Sequence, residues 1–362
     1  MMAGKKPLSI ALIASHRYPI AEPFAGGLEA HVWHLARALA RRGHDVALFA
    51  AAGSDLGVEH SLLNVSEFRP SPAAQRDTSM PEPGFMAAHH AYLELMMRLG
   101  RDDEFDVIHN HSLHYLPIAL ARTASAPVLT TLHTPPTPWL ESAIDVNAEN
   151  TRFAAVSEYT ARSWSHVARD IEVISNGVDV SLWPARAGGD DLVWFGRFVP
   201  EKGAHLAALA AERAGLGLRL AGPISDRDYF DGEISPLLTD RIRYVGHLDQ
   251  NELATVVGSS AATLVTPLWD EPYGLVVAES LACGTPVAGF RRGGIPEIVG
   301  DDGGVLADSD DVDSLAAAAR QAMKLDRRVV RARAESHCAE GVMVDQYLSL
   351  YRRLAGRSHL AA

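Results

Sequence analysis

The fold is decided by residues 9–50, which read SIALIASHRYPIAEPFAGGLEAHVWHLARALARRGHDVALFA. This stretch holds an apolar run at 9–14, an amphipathic segment at 28–42 that stops at Gly43, and a second apolar run at 45–50. Short apolar runs on either side of an amphipathic helix are typical of parallel strands that are covered by helices on both faces. The stretch therefore predicts an α/β protein built on a parallel sheet.

The same alternation continues along the chain and restarts near residue 190. We predict two Rossmann-like, doubly wound parallel-sheet domains that face each other across a cleft, with the boundary in the turn-rich segment 176–184. The domains are 1–183 and 184–340, and a last helix within 341–362 is expected to bury an apolar face. Residues 66–86 are predicted to be a surface loop. The remaining strands are predicted at 106–110, 127–132, 153–156, 172–175, 192–195, 218–221, 242–245, 262–266, 287–290 and 304–306.

Composition excludes several classes of protein. The 362 residues carry a net charge of -12, and acidic residues outnumber basic ones in both halves, which opposes binding to nucleic acid. No apolar stretch is long enough for a transmembrane segment. The net charge also opposes docking on an anionic membrane, and peripheral contact through a local basic patch stays open. The two cysteines are too few for a disulfide framework and predict a protein of the reducing cytoplasm. We also expect a monomer or a homodimer.

Two cations stand on one predicted strand-to-helix loop, Phe195-Gly196-Arg197-Phe198-Val199-Pro200-Glu201-Lys202-Gly203. The carboxyl end of a parallel strand is where open α/β sheets bind ligands. Arg197 can grip a phosphate with two hydrogen bonds, and Lys202 adds a point charge. The loop is therefore a candidate phosphate site, although a solvated loop would carry the same residues.

Two glutamates, Glu271 and Glu279, stand eight residues apart in Glu-Pro-Tyr-Gly-Leu-Val-Val-Ala-Glu, which is predicted to be the end of a strand, a glycine-bearing turn and the start of a helix. On a helix this spacing would give a rise of about 12 Å and a rotation of only about 80°. Both carboxylates could then line one groove and accept hydrogen bonds from sugar hydroxyls. The start of this helix, near Gly274 and Leu275, would offer free N–H groups to a diphosphate.

Glycines and histidines supply the remaining candidates. Gly26 and Gly27 follow the first strand and open a helix, where backbone N–H groups favour phosphate. The histidines His109, His111, His114 and His133 follow neighbouring strands, but no cysteine joins them and His-x-His alone specifies little, so we predict no metal site.

These motifs occur together in the order and context of the family 4 retaining glycosyltransferases, which the sequence resembles over essentially its whole length. The motifs are Gly26-Gly27, Arg197 with Lys202-Gly203, Glu271-x7-Glu279 and Gly293-Gly294-Ile295-Pro296-Glu297. The resemblance implies the GT-B fold and transfer of a sugar from a nucleoside-diphosphate sugar to a hydroxyl acceptor. A UDP-sugar is favoured by family frequency, with a GDP-sugar next. The resemblance also implies that the first domain binds the acceptor, that the second domain binds the sugar nucleotide, and that the last helix crosses back onto the first domain.

The resemblance also implies a role for each candidate residue. Arg197 and Lys202 hold the donor diphosphate, Glu279 binds the ribose, Glu271 faces the transferred sugar, and His133 lies beside the reacting anomeric carbon. The donor also contacts Gly26, Gly27, Gly274 and Leu275, and His247 is a candidate for contact with the base. Acceptor-side loops carry His16, Tyr18 and His111.

We expect no cofactor and no metal requirement, because two cations and a helix end worth about half a charge nearly neutralise the departing diphosphate. The two Asp-x-Asp motifs, at Asp226 and Asp311, precede helices and are predicted to be caps instead of metal ligands. We favour attack from the same face of the sugar as the leaving group, because no nucleophile for a double displacement can be identified.

Other classes of protein stay open from the residues alone. A nucleotide-sugar 2-epimerase of similar architecture would need acid and base carboxylates but no acceptor. A non-catalytic sugar-nucleotide binding protein would have lost some of the charged residues that this sequence keeps. A pyridoxal-phosphate phosphorylase would need a cofactor lysine in the second half, where neither Lys202 nor Lys324 has a suitable context.

Overall fold

The computed structural model of the chain describes residues 6–57, 68–147 and 151–361, with side chains described as far as residue 356. The chain divides into two compact units. The first comprises Met1–Val156, Thr160–Ile174 and Val344–Ala362, and the second comprises Ser157–Tyr159 and Ser175–Met343. Residues 175–183 thus group with the second unit, whereas the sequence analysis assigns them to the first domain.

The first unit is built on a six-stranded sheet in the order β2-β1-β3-β4-β5-β6, and every neighbouring pair is parallel. The strand order reverses between β1 and β3, so the loops after these two strands meet at a switch point. The strands are β1 (Ser9–Ile13), β2 (Asp45–Phe49), β3 (Val107–Asn110), β4 (Val128–Leu132), β5 (Arg152–Ala155) and β6 (Glu172–Val173). The helices are α1 (Gly27–Arg41), α2 (Pro83–Leu99), α3 (Leu116–Ala119), α4 (Pro138–Asn147) and α5 (Glu158–Trp164).

The second unit is also built on a six-stranded parallel sheet, in the order β12-β11-β10-β7-β8-β9. Counted within the unit, this is the order 3-2-1-4-5-6 of dinucleotide-binding folds, with its switch point between β7 and β10. The strands are β7 (Leu192–Phe195), β8 (Leu218–Ala221), β9 (Ile242–Gly246), β10 (Thr263–Val265), β11 (Val287–Phe290) and β12 (Gly304–Ala307). The helices are α6 (Ala204–Ala214), α7 (Arg227–Tyr229), α8 (Gln250–Gly258), α9 (Leu275–Ala282), α10 (Ile295–Val299), α11 (Val312–Ala322) and α12 (Arg327–Arg333). A last helix, α13 (Glu340–Ala361), starts in this unit.

The inner strands of each sheet are buried on both faces, as their apolar sequences predict. In the first unit, β1 is shielded from solvent, and α1 packs Val32, Leu35 and Leu39 into the core. In the second unit, the alanine-rich faces of α6 and α11 join Leu192 and Leu220 in one apolar cluster. Small alanine side chains let a helix approach the sheet closely, and burial of apolar area is the main stabilising contribution.

Of two local predictions, one is wrong in part and the other is confirmed. The predicted surface loop at 66–86 is wrong from Pro83 onward, because Pro83 opens α2 at its first turn and Tyr92, Leu95 and Leu99 bury one face of that helix. The prediction that Asp226 and Asp311 are helix caps is confirmed. Asp226 accepts a hydrogen bond from the amide of Tyr229, and Asp311 accepts from the amides of Asp313 and Ser314.

The C-terminal helix α13 begins in the second unit and continues into the first. Within the first unit it packs Tyr347 and Tyr351, both fully buried, against β3 and β4. Across the described residues, no helix combines the length and apolar character that crossing a bilayer requires.

Candidate active site

The switch point of the second unit brings together the loops that follow β7 and β10. The hydroxyl of Thr266 donates a hydrogen bond to the carbonyl of Gly203 at 2.8 Å, and the amide of Leu268 donates to the carbonyl of Glu201 at 2.8 Å. Gly203 has φ +64°, and a Cβ atom there would lie 2.1 Å from the carbonyl oxygen of Thr266. Only glycine therefore allows the two loops to lie so close together.

This junction pairs Lys202 with Glu271. The Nζ of Lys202 lies 2.5 Å from Oε2 of Glu271, and both side chains are largely buried, with 26% and 16% of their surfaces exposed. The ammonium group also lies 5.3 Å from the centre of the Trp269 ring. A charged hydrogen bond in such an enclosed place is strong, and each partner would leave the other buried and unpaired if it were removed.

The backbone at Glu271 is fixed by the glycines of the Gly293-Gly294 motif. The amide of Gly294 donates to the carbonyl of Glu271 at 2.7 Å. Gly293 has φ +56°, and a Cβ atom there would lie 2.1 Å from the Glu271 carbonyl oxygen. Glu271 itself precedes α9, which begins at Leu275 after Gly274 at φ +100°. The predicted glycine-bearing turn followed by a helix from Leu275 is therefore confirmed, with Glu271 before the turn and Glu279 on the helix.

Glu279 lies in the second turn of α9 and is largely enclosed. Burial raises the pKa of its carboxyl from an ordinary 4.5 to about 8. At neutral pH the group is therefore mostly protonated. A neutral carboxyl can both donate and accept a hydrogen bond, which suits a pair of neighbouring hydroxyls.

Two other predicted donor residues stand apart from this pair. Arg197 is exposed, and its side chain makes no hydrogen bond or ion pair within the described part of the chain. His247 is exposed at the end of β9, which lies two strands away from β7. Arg197 is therefore free to meet an anion at the β7 loop, and the predicted role of His247 stays a prediction.

The first unit gathers histidines at the carboxyl ends of β3 and β4. His111 Nδ1 and His133 Nε2 share a hydrogen bond of 2.8 Å, and His111 Nε2 lies 3.2 Å from His109 Nδ1. His109 continues the network through Nδ1 to the hydroxyl of Tyr351 at 2.6 Å and through Nε2 to the hydroxyl of Thr131 at 2.7 Å. His111 and His133, for which the resemblance implies different roles, thus lie in one hydrogen-bonded chain.

Burial controls the charge of these histidines. It lowers the pKa of His109, His111 and His133 well below 6.5, and the neighbouring imidazoles lower each pKa further. Each ring is therefore neutral at physiological pH. His133 is the member that remains partly exposed, so it is the one that a bound molecule can reach.

One further histidine of this group, His31 on α1, belongs to none of the sequence motifs. Its ring centre lies 5.1 Å from that of His133 and 5.3 Å from that of His111. The signal was present, because His31 lies three residues after Leu28 and four before Leu35, on the apolar stripe of an amphipathic helix. A histidine in that stripe faces the interior.

The acceptor-side and glycine candidates occupy the same edge of the first unit. The His16 ring packs edge-on against Tyr92, with 5.6 Å between ring centres, and Tyr18 is 52% exposed. Gly26 caps α1, but the carboxylate of Glu29 lies 3.1 Å from where a Cβ atom of Gly26 would be. An anion at this helix start would therefore meet a like charge.

Comparison with known proteins agrees with this architecture. The two doubly wound parallel sheets, together with the solved structures that superpose on them, show the two-domain α/β GT-B fold. The sucrose-phosphate synthase structure from Thermosynechococcus elongatus superposes with a TM-score of 0.79 at 21% identity, covering 97% of this chain and 100% of that one. At this identity the likeness shows the fold alone.

The sequence comparisons identify the family. Residues 25–182 match the model of Glycosyltransferase Family 4, and residues 184–337 match that of Glycosyl transferases group 1. Glycogen synthase of Mycobacterium tuberculosis (strain ATCC 25618 / H37Rv) is 31% identical over 356 residues, covering 86% of this chain and 85% of the relative. Phosphatidyl-myo-inositol mannosyltransferase of Mycolicibacterium smegmatis is 27% identical over 317 residues, covering 81% and 80%. The chain belongs to the family 4 glycosyltransferases and is a retaining hexosyltransferase.

Proposed function

We propose that the chain moves a sugar from a nucleoside-diphosphate sugar, with UDP favoured over GDP as the carrier, to a hydroxyl acceptor without requiring a metal ion. The observation that carries the proposal is the Lys202–Glu271 pair at the β7/β10 switch point. The lysine can bind the diphosphate of such a donor, and the neighbouring carboxylate can accept hydrogen bonds from the hydroxyls of its sugar.

In this proposal the donor separates the pair. Lys202 moves from Glu271 to the diphosphate, and Glu271 accepts hydrogen bonds from the hydroxyls of the transferred sugar. The released hydrogen bonds are replaced by new charged ones, so the donor does not leave either group buried and unpaired. Glu279, protonated at neutral pH, holds the ribose hydroxyls as the family resemblance implies.

Charge on the leaving group is balanced by side chains alone. Negative charge grows on the diphosphate as the glycosidic bond breaks, and each preorganised donor aimed at it lowers the barrier by roughly 3–4 kcal/mol. Arg197 is exposed on the loop that follows β7, and helix α9 begins directly after Gly274. Two cations and a helix end supply this stabilisation where another enzyme would use a metal ion.

The acceptor chemistry is assigned from the family resemblance. His133 is neutral and partly exposed, which fits a group that accepts a hydrogen bond from a hydroxyl of the reacting sugar. The acceptor attacks from the face that the diphosphate leaves, and the leaving phosphate takes the acceptor proton. His16, Tyr18 and His111 are proposed to lie along the acceptor.

The cell compartment and the assembly state belong to the same proposal. Cys283 and Cys338 are both buried and unpaired, which supports a reducing, cytoplasmic environment. A monomer or a homodimer is proposed.

A panel of substrates tests this function. Thermal shift with UDP-, GDP- and ADP-sugars selects the donor. The acceptors then include a glucan and an inositol phosphate, because relatives of the chain are named glycogen synthase, phosphatidyl-myo-inositol mannosyltransferase and D-inositol 3-phosphate glycosyltransferase. NMR of the new anomeric proton should show the configuration of the donor retained, at an undiminished rate in EDTA. Epimerised donor without transfer, donor binding without turnover, or inactivation by EDTA would each contradict a part of the proposal.

Matched variants connect the activity to the site. Lys202→Ala should weaken donor binding on the order of 10-fold to 100-fold, as expected for a charged hydrogen bond. Lys324→Ala removes the other lysine of this unit, which is exposed, and should leave donor binding unchanged. Arg197→Ala should weaken both binding and rate. Loss of the cooperative melt in Lys202→Ala would show instead that the residue is structural.

A further inference from the structure

We propose that His31, His111 and His133 form a binding site for a divalent transition-metal ion of the Zn²⁺ class. The three side chains can each offer one ring nitrogen, and these nitrogens all lie within 4.8 Å of one another. They come from separate elements, α1 and the loops after β3 and β4, so the topology of the first unit assembles the group.

One ring nitrogen of His111 faces one ring nitrogen of His133 at a distance close to that between two ligands of the same metal ion. Their facing nitrogens, Nδ1 and Nε2, are 2.8 Å apart and share one proton. Tetrahedral Zn²⁺ with Zn–N bonds near 2.0–2.1 Å places two ligand nitrogens about 3.3 Å apart. The pair therefore has to open by only about 0.5 Å for the ion to replace the proton.

His31 gives the second and independent observation. It is buried, with 2% of its surface exposed, and neither of its ring nitrogens has a hydrogen-bond partner within the described part of the chain. Burying a polar nitrogen without a partner costs about 1–3 kcal/mol. The ring faces His111 and His133, so a cation held by those two residues would supply the partner that the protein does not.

The ligand chemistry also selects the ion. Neutral imidazole is the form of histidine that binds metals, and His31 and His111 are both buried. Three histidines with no carboxylate suit Zn²⁺, Cu²⁺, Ni²⁺ or Co²⁺ and not Mg²⁺ or Ca²⁺, which prefer oxygen. His109 Nδ1 lies 3.2 Å from His111 Nε2 and would orient that ligand from behind.

One consequence rests on the proposed function. His133 is proposed to meet the reacting sugar, so an ion bound to it would occupy that position and inhibit transfer. Donor binding would persist, because the diphosphate is assigned to Arg197 and Lys202 in the second unit. The ion is thus an inhibitor and not a participant in transfer.

Cobalt spectroscopy tests the site without reference to activity. Untagged protein is titrated with Co²⁺, and we expect one equivalent to give the visible bands of tetrahedral Co²⁺, which Zn²⁺ then displaces. In His31→Asn the Co²⁺ affinity should fall at least about tenfold. His114→Asn is the matched control, because His114 also buries a ring nitrogen without a partner but lies outside the three. Its titration should match the wild type.

The possible outcomes are distinct. Absence of tetrahedral bands in the wild type, or equal Co²⁺ affinity in wild type and His31→Asn, overturns the site. If His31→Asn does not fold, His133→Asn replaces it, since the His133 ring is partly exposed. Tetrahedral bands in a protein that transfers no sugar would keep the metal site and reject the proposed function. Bands together with transfer that Zn²⁺ does not inhibit would reject only the assignment of His133.

Discussion

Glu279→Gln should abolish a pH dependence of stability that the buried carboxyl creates. Burial raises the pKa of Glu279 from 4.5 to about 8 in the folded chain. Between these two values the folded chain holds a proton that the unfolded chain has released. The free energy of unfolding therefore falls as pH rises through this window, and it is flat with respect to Glu279 below 4.5 and above about 8.

The size of the effect follows from the two pKa values. One pKa unit corresponds to about 1.4 kcal/mol, so between pH 5 and pH 9 the wild type should lose about 4 kcal/mol relative to the glutamine variant. Glutamine keeps the shape of the protonated carboxyl and has no proton to release. The variant should therefore be close to the wild type at pH 5 and clearly more stable at pH 9.

Urea unfolding of both proteins across this pH range makes the measurement, because the difference between them cancels the titration of all other groups. Glu212→Gln is the control, since Glu212 is an exposed glutamate on α6 and its replacement should leave the pH profile unchanged. Parallel profiles for the wild type and Glu279→Gln would show that the carboxyl ionises normally, and would refute the reasoning from burial.

Three further substitutions probe the two units. Glu271→Gln should lower turnover on the order of 100-fold while donor binding survives, as measured by steady-state transfer and calorimetry, and equal turnover would remove Glu271 from the site. Gly293→Ala should destabilise the fold by at least about 2 kcal/mol, because its φ is +56° and its Cβ would lie 2.1 Å from the Glu271 carbonyl oxygen. Gly232→Ala, with open space around its Cβ, is the control in the same melts. Tyr351→Phe should cost about 1 kcal/mol by removing the 2.6 Å hydrogen bond to the buried His109 Nδ1, which keeps only its longer 3.2 Å contact with His111 Nε2, and an unchanged melting temperature would contradict that.

Strands were the most predictable part of the fold. The ranges predicted for β7, β8 and β11 match the structure, because a short, continuously apolar run between helices has few other solutions in an α/β protein. The first turn of helix α2, which begins at Pro83, lies inside the segment predicted to be a loop. Residues 66–86 hold many proline and polar residues, which predict a loop, but proline also suits the first turn of a helix, and Pro83 stands there.

The candidate site was predictable as loops but not as contacts. Lys202 and Glu271 lie far apart in the sequence, and only the strand order that puts β7 beside β10 brings them to 2.5 Å. His31 belongs to no motif, so its approach to His111 and His133 depends on how α1 packs on the sheet. Spacing along the chain reports neither kind of proximity.

The path of α13 bears on how this enzyme can be recombined with its relatives. The helix donates Tyr347 and Tyr351 to the interior of the first unit although it is encoded after the whole of the second. A chimaera that exchanges only the N-terminal half would combine a foreign sheet with the native tyrosines. An exchange of the first unit should therefore transplant both ends of the gene together.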